Sequence, residues 1–275
     1  MAAYPFCLRL VAGASLSSGL ALGAGAPPSH AAPVNLLPHR AAYRLSLAEA
    51  ESSAGLAAVR GGLVLEWRAA CDGWLSLQRL GFVAESDEGP GFTYDVRFSS
   101  WESRDNTQLR FNVRSFDGPR MQEEFRGLAK LEAPGAKGTA RYSLPEGDVV
   151  ELPAGTIFPT EHVADLIEAA QAGERVVSRQ VFDGSGENAL TRATAIIGRP
   201  KAVRLAGGAA EERRWPVGIA YFGEGKAEDD ALPQFEISFD LSEGGVLHDV
   251  KLDYGEFTLD ARLEKLETFE QPDCR

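Results

Sequence analysis

Residues 152–174 read Leu-Pro-Ala-Gly-Thr-Ile-Phe-Pro-Thr-Glu-His-Val-Ala-Asp-Leu-Ile-Glu-Ala-Ala-Gln-Ala-Gly-Glu and contain one stretch with a clear helical period. Apolar residues recur at i, i+3, i+4 and i+7, and acidic and polar residues take the other side, which predicts a helix with one buried face. We expect Thr160 to cap the start of this helix, just after Pro159, and Gly173 to cap its end. The apolar positions are Val163, Leu166, Ile167 and Ala170.

Two roles are open for this short amphipathic helix. It can be a packing element that covers or plugs a curved sheet, because apolar helical stripes usually face a core. Alternatively, it gates a cavity. The residues at such an opening would be His162, Val163, Leu166 and Ile167.

The rest of the chain alternates apolar and polar residues with a period of two, which predicts β-strands. Short gaps with turn residues, such as Cys71-Asp72-Gly73, favour antiparallel hairpins. We predict an all-β fold of about a dozen to fourteen antiparallel strands, in a barrel or a sandwich, because helices do not alternate with strands. The predicted strands are residues 41–47, 62–68, 74–80, 92–101, 108–116, 123–131, 138–144, 149–152, 175–182, 190–197, 212–222, 234–241, 246–254 and 257–266.

The first 31 residues have the pattern of a secretory signal peptide. One charge, Arg9, precedes a small and apolar run, and Ser29-His30-Ala31 suits cleavage after about Ala31. A retained transmembrane anchor is the alternative, but glycines, serines and prolines interrupt the run. We therefore expect a periplasmic protein whose mature chain, residues 32–275, is a single domain without a membrane span.

The cysteines point to one covalent bridge. Cleavage of the signal would remove Cys7 and leave Cys71 and Cys274. In an oxidising compartment two cysteines favour a disulfide, which would join an early strand to the C-terminus. Two separate buried thiols are the alternative.

The charge of the chain argues against two classes of partner. The sequence has 28 Lys and Arg against 40 Asp and Glu, a net charge of −12. The segment 1–31 contributes Arg9 and no acid, so the mature chain keeps 27 basic residues. Nucleic acids and anionic membrane surfaces bind to basic fields, so we expect neither as a partner.

A search for catalytic, metal and cofactor motifs finds none that holds. Asp183-Gly184-Ser185-Gly186 lacks the Gly-x-Ser-x-Gly elbow and favours a turn. Glu161-His162 resembles half of a zinc-protease helix, yet Leu166 stands where the second histidine is needed. No phosphate loop or dinucleotide fingerprint occurs. We therefore predict no catalytic, metal or cofactor site and no enzymatic activity.

Aromatic residues on the predicted strands favour a large apolar interior. Most of them are expected in the core. If the sheet curves without closing, part of the interior could instead hold a lipid, because ligand sites are usually apolar pockets. The residues are Trp67, Trp74, Trp101, Trp215, Phe92, Phe98, Phe111 and Phe125.

Seven phrases, taken in order, carry a family resemblance from Leu37 to Cys274. They are Leu37-Pro38-His39-Arg40-Ala41-Ala42-Tyr43, Cys71-Asp72-Gly73-Trp74, Ser99-Ser100-Trp101-Glu102-Ser103, Leu152-Pro153-Ala154-Gly155-Thr156-Ile157-Phe158-Pro159-Thr160-Glu161-His162, Val181-Phe182-Asp183-Gly184-Ser185, Trp215-Pro216-Val217 and Leu252-Asp253-Tyr254-Gly255-Glu256-Phe257. The chain resembles the EipB family of alphaproteobacterial periplasmic proteins, named for cell envelope integrity. The resemblance implies a β-spiral, a sheet that curls like a broken barrel with one short helix, and a disulfide between Cys71 and Cys274.

The resemblance also implies a function without catalysis. The family's role looks like envelope maintenance through a periplasmic tetratricopeptide-repeat protein, and we take binding of such a partner as the first hypothesis. A carrier that holds a lipid or a lipoprotein acyl chain in the apolar interior is the second. An envelope hydrolase that uses His162 with Ser185 or a carboxylate is the third.

Overall fold

Alternating side chains turn one apolar face of each strand toward the interior. The computed structural model describes residues 35–86, 89–186, 189–205, 211–223 and 232–274, and sixteen strands lie in these ranges. One helix, α1 (Pro159–Ala172), and a 3-10 turn at Ser52–Ala54 complete the described elements. The strands are β1 (His39–Ala50), β2 (Leu56–Ala70), β3 (Gly73–Ser86), β4 (Phe92–Ser103), β5 (Gln108–Asp117), β6 (Arg120–Leu131), β7 (Gly138–Leu144), β8 (Val149–Leu152), β9 (Thr156–Ile157), β10 (Val176–Phe182), β11 (Leu190–Ile197), β12 (Lys201–Arg204), β13 (Glu211–Gly223), β14 (Phe235–Ser242), β15 (Leu247–Asp253) and β16 (Phe257–Thr268).

The all-β prediction is confirmed, and fourteen of these strands lie where the alternation predicts them. Of the two additional strands, β9 has two residues, too few to show a period of two. β12 has four residues, all exposed or half-buried, so no buried apolar face marks it as a strand. Residues 1–34 lie outside the described ranges, so the signal peptide and its cleavage stay predictions. In the described ranges, no helix has the length and apolar character needed to cross a membrane.

The strands form one sheet whose order follows the chain outward and back. From β1 the chain runs through β2 to β8, each strand antiparallel to the one before. It continues at the opposite end of the sheet with β9 and returns through β10, β11, β13, β14 and β15 to β16, which pairs with β1. Off this path, β12 pairs with β13, and among the described strands β9 and β10 make the one parallel pair.

The sheet curls into a nearly closed barrel with one seam, as expected for a broken barrel. The seam lies between β8 and β9, which are the two ends of the sheet and follow each other along the chain without pairing. A hydrogen bond from another part of the sheet holds the connection between them: the N–H of Gly155 donates to the carbonyl of Gly135 at 2.8 Å. Gly135 lies in the turn between β6 and β7.

Side chains close the seam where the backbone does not. Leu152, Phe158 and Phe182 are fully buried there, with Phe111 against Phe182 at 5.8 Å between ring centroids. We call this group the seam cluster. Its members are Leu109, Phe111, Ala129, Leu131, Ala140, Tyr142, Leu152, Phe158, Phe182, Ala189 and Leu190.

The turn after β10 fits tightly onto the seam cluster. Gly184 has a φ of +78°, and a Cβ at this position would lie 2.3 Å from the ring of Phe111. The Tyr142 hydroxyl donates to the carbonyl of Gly186 in the same turn at 3.2 Å. Glycine is therefore required at 184 both by the left-handed backbone and by the close approach of a buried ring.

A second, larger group of buried side chains fills the rest of the barrel, and we call it the main cluster. It joins residues of β1, β2 and β3 to residues of β10, β11 and β13 to β16, and it includes Leu166 and Ile167 of α1. Trp67 and Trp215 are buried in it, as predicted. Trp101 does not join either cluster, because it lies on the outer face of β4, and the prediction that it lines the interior is wrong.

The cap and the first residue of the helix lie two residues earlier than predicted. Pro159 is its first residue and Phe158 its N-cap, with no capping hydrogen bond from the Phe158 side chain, so Thr160 is not the cap. Proline suits this position because its missing N–H would find no partner within the helix. Gly173 ends the helix as predicted, with a φ of 81°.

The disulfide prediction is confirmed, with Cys71 and Cys274 bonded across 203 residues of sequence. Cys71 lies in the turn between β2 and β3, and Cys274 lies in the tail after β16. Since β2 and β16 flank β1 on its two sides, the bond joins the neighbours of the N-terminal strand. The tail is also held by Arg68, whose guanidinium lies 3.8 Å from the centroid of the Phe269 ring.

Truncation of Leu166 tests whether α1 is a packing element. Leu166→Ala removes a side chain that is 2% exposed within the main cluster, so we expect the free energy of unfolding to fall by about 2–5 kcal/mol. Denaturant unfolding measures it, and Glu168→Ala, at an exposed position of the same helix, should change it by less than about 0.5 kcal/mol. A Leu166→Ala protein of unchanged stability would contradict the packing role and favour gating.

A glycine substitution tests the seam. Gly184→Ala should lose about 1–2 kcal/mol from the positive φ and a further amount of about 1–3 kcal/mol from the clash with Phe111. Gly255→Ala is the matched control, because Gly255 has a φ of +85° and nothing within 4 Å of an added Cβ. Equal losses of unfolding free energy in the two variants would show that the seam tolerates the methyl group.

Candidate functional site

The helix residues predicted to border an opening are buried or half-buried against the main cluster. Leu166 and Ile167 are buried, His162 is 5% exposed, and Val163 is half-buried against the main cluster. Val163 and Ile167 lie beside Gly245, in the turn between β14 and β15. These residues therefore pack against the main cluster and the turn between β14 and β15, and their role in sealing or gating an opening stays a prediction.

A carboxylate from a distant strand holds the start of α1. Glu102, near the end of β4, is 2% exposed, and its two oxygens accept the backbone N–H of Thr160 at 3.0 and 2.9 Å. The Thr160 hydroxyl donates to the same carboxylate at 2.6 Å. Glu102 thus provides the capping bonds that the Phe158 side chain does not. It also joins the two sides of the seam, since β4 lies in the arm that ends at β8, and α1 lies between β9 and β10 of the other arm.

Sequence patterns did not identify Glu102 as a site residue. The alternation of β4 places Glu102 on the same, inward face as the buried Ser100. An acidic residue on the inner face of a strand requires hydrogen-bond partners, so its position alone is a sequence signal for a site. The partner was not visible, since Thr160 is 58 positions away and the two meet only through the curl of the sheet.

Burial dominates the electrostatics of Glu102. Loss of water raises the pKa of its carboxyl to about 7, although the hydrogen bonds from Thr160 and from the backbone of Glu161 oppose that shift. Burial also raises the pKa of Glu161, while a hydrogen bond from Asn106 opposes that rise. The start of α1 therefore contains carboxyl groups that titrate above their ordinary range.

His162 is a buried imidazole with a free nitrogen. Burial lowers its pKa to about 4, so the ring is neutral near pH 7. Among the described residues, its Nε2 has no hydrogen-bond partner. The charges of Asp165 and Arg179, which form an ion pair at 2.9 Å between α1 and β10, act on the ring in opposite directions.

Among the described residues, no hydrogen bond joins His162 to Ser185, the two residues considered for catalysis. Ser185 lies in the exposed turn after β10, where its N–H donates to Asp183 at 2.8 Å. His162 lies in the first turn of α1 and makes no bond to that serine. Within the described ranges, no three His, Cys, Asp or Glu side chains are grouped as a metal site would require.

Two open grooves mark the surface of the described part. The larger, of about 610 Å³, lies across β3 to β7 and contains Trp101 and Arg110 in its lining. The smaller, of about 490 Å³, lies where residues 35–38 and residues 269–271 meet the turn between β14 and β15, with Leu37 and Phe269 in its lining. Sequence patterns predict strand faces but not which strands curve into a groove, so neither surface was foreseen.

Comparisons with known proteins agree with this architecture. A family model described as EipB-like matches residues 30–270. The chain belongs to the EipB-like family. "Cell envelope integrity protein EipB" of Brucella abortus (strain 2308) is 32% identical over 274 residues, which cover 96% of each protein. A crystal structure of a beta-barrel-like protein from Brucella abortus, of a domain of unknown function, has a TM-score of 0.79 at 32% identity and covers 86% of this chain and 100% of that one.

The pKa of Glu102 gives the EipB-like chain a testable pH dependence. Because the folded pKa is raised from 4.5 to about 7, the contribution of Glu102 to stability is fully present below pH 4.5 and is lost as the pH rises through 7. The Glu102→Gln variant lacks this titration. We therefore expect the unfolding free energy of the wild type, relative to that of Glu102→Gln, to fall between pH 5 and pH 8 by at most about 3 kcal/mol.

Denaturant titrations of both proteins at several pH values measure this difference. Thr160→Val is the companion variant, since loss of a hydroxyl that stabilises the anion should move the fall to higher pH. A difference that is constant from pH 5 to pH 8, or one that grows with pH, would contradict the assignment.

Proposed function

We propose that this protein supports cell envelope integrity in the periplasm by binding a protein partner. The observation that carries the proposal is the relative named "Cell envelope integrity protein EipB", which matches over 96% of both chains at 32% identity. A match that spans the whole fold, rather than one segment, makes a shared role the simplest account. The predicted signal peptide would provide the route to the periplasm.

The structure supports a binding role in two ways. The interior of the barrel is occupied by side chains of the main and seam clusters. The described surface therefore offers another molecule more contact area than the interior does. At the seam, β8 pairs with β7 on one side and presents its other edge unpaired in the sheet. Such an edge and the nearby groove suit contact with another protein. A tetratricopeptide-repeat protein, with its concave surface, is the partner class that the family resemblance suggests.

A periplasmic carrier of a lipid or a lipoprotein chain is the alternative. The exposed apolar side chains of the larger groove, such as Leu75 and Leu77, are the observation that favours it. Neither role requires a catalytic group.

Deletion and complementation in the bacterium of origin test the proposal. The strain that lacks the protein should become sensitive to detergents and to cell-wall antibiotics, and the wild-type gene should restore resistance. A deletion strain with an unchanged envelope would overturn the envelope role. Native mass spectrometry of the protein, purified gently from the periplasm, separates the two mechanisms: a protein complex supports partner binding, and a bound lipid in place of a protein supports the carrier.

A further inference from the structure

We propose that the larger groove is a binding site for an acidic, amphipathic segment of a protein partner. This surface, which we call the outer groove, is the concave outer face of β3 to β7. The inference rests on the proposed function and deepens it, because it assigns the partner's contact surface and the chemistry of the contacting segment. Three observations carry it: the rows of side chains, their charge, and one unpaired polar group.

The register of the strands builds the outer groove from two parallel rows of side chains. In the first row, Leu75 pairs with Trp101, Trp101 with Arg110, Arg110 with Leu128, and Leu128 with Arg141. In the second row, Leu77 pairs with Ser99, Ser99 with Asn112, and Asn112 with Arg126. Four strand spacings make the first row roughly 19 Å long, which is the length of about six residues of extended chain.

Apolar side chains in these rows face water rather than the core. Leu75 and Leu77 are 44% and 49% exposed, whereas Ser76 between them is 2% exposed and faces inward. A cluster of this kind is typical of an interaction surface.

The charge of the outer groove opposes that of the chain. Its lining includes Arg110, Arg126 and Arg141 and no carboxylate among the described residues, in a protein of net charge −12. Arg126 is paired with Glu124 at 2.8 Å. Arg110 lies 4.8 Å from the centroid of the Trp101 ring, and within the described ranges neither Arg110 nor Arg141 forms an ion pair. These two cations are therefore available to carboxylates of a partner.

The shape and one polar group favour a protein segment over a lipid. The outer groove is open along its length, whereas an acyl chain gains most from a pocket that encloses it. Asn112 lies in the second row, and its side-chain oxygen is buried without a hydrogen-bond partner among the described residues. Rotation of the Asn112 side chain would bring that oxygen to the surface of the groove, where a peptide N–H can donate to it and an acyl chain cannot.

The test uses a designed probe, because acidic groups of the right spacing can be built directly. In a peptide of five Glu-Leu-Ser repeats, carboxylates recur on one side every three residues, about 9 Å apart in the polyproline II conformation, which matches the two strand spacings of about 10 Å between Arg110 and Arg141. Fluorescence anisotropy of the labelled peptide measures binding to the purified chain. Two control peptides are used. A peptide of Lys-Leu-Ser repeats has the opposite charge, and a peptide of Glu-Ser-Ser repeats has no apolar side chain.

Three double variants locate the binding. Arg110→Glu with Arg141→Glu should weaken binding of the Glu-Leu-Ser peptide by at least about tenfold, since both cations become repulsive. Leu75→Ser with Leu77→Ser should weaken it by about threefold or more through lost apolar contact. Arg120→Glu with Arg262→Glu is the matched control: both residues are exposed and lie outside the outer groove, so the same change of net charge should alter binding by less than about twofold. Thermal melts establish that each variant is folded.

Several results would overturn the inference. These are no binding of the Glu-Leu-Ser peptide, equal binding of the Glu-Ser-Ser peptide, or equal losses in the groove and control variants. Vesicles of phosphatidylglycerol that bind through the same arginines, in place of the peptide, would assign the surface to lipid. A dimer in sedimentation that Arg110→Glu with Arg141→Glu dissolves would assign it to a second copy of the chain.

The genetic test separates this inference from the proposed function. If a gene that encodes the variant with Arg110→Glu and Arg141→Glu fully restores the resistance of a sensitive deletion strain, the outer groove is not the functional surface and the envelope role stands. If deletion itself leaves the envelope unchanged, the proposed function fails, whatever the peptide does.

Discussion

The fold depends on how the two ends of one long sheet are held together. β8 and β9 meet at the seam without backbone pairing, so the ladder that joins every other neighbouring pair is interrupted there. Packed side chains close the seam instead, chiefly the rings of Phe111, Phe158 and Phe182. Packing of this kind is sensitive to the loss or gain of a methyl group, because interiors are as dense as organic crystals. The turn at Gly184, which is pressed against Phe111, belongs to that packing.

The helix has a second attachment of a different kind. Its apolar face joins the main cluster, and its first turn is bound by the buried carboxylate of Glu102. That carboxylate belongs to the arm of β2 to β8, whereas the helix leads into the returning arm that begins with β10. One side chain thus connects the two arms across the seam. Its removal from water carries a cost that three hydrogen bonds offset in part, which is why burial remains the larger influence on its pKa.

Local patterns in the sequence specify local structure well. The period of two located fourteen strands, and the spacing of Val163, Leu166, Ile167 and Ala170 located the helix and its buried face. The pairing of Cys71 with Cys274 followed from the count of cysteines that remain after cleavage of a signal peptide and from the family resemblance. Features that depend on contacts between residues far apart in the chain could not be predicted from the sequence. Glu102 capping Thr160 and Trp101 turning outward toward Arg110 both require the curl of the sheet, which no single strand encodes.

The pairing of β1 with β16 has a consequence for how the molecule is made. Synthesis and the predicted export both start at the N-terminus, so β1 emerges first and β16 last, and partners such as Ala41 and Leu266 are separated by nearly the whole domain. Until the final strand emerges, β1 has β2 on one side and an open edge on the other. The pair is therefore among the last to form, and long-range pairing of this kind is slow because loop closure precedes the contacts that reward it. Cys274 follows β16 in the chain, so its disulfide with Cys71 can form only after every strand of the sheet has emerged.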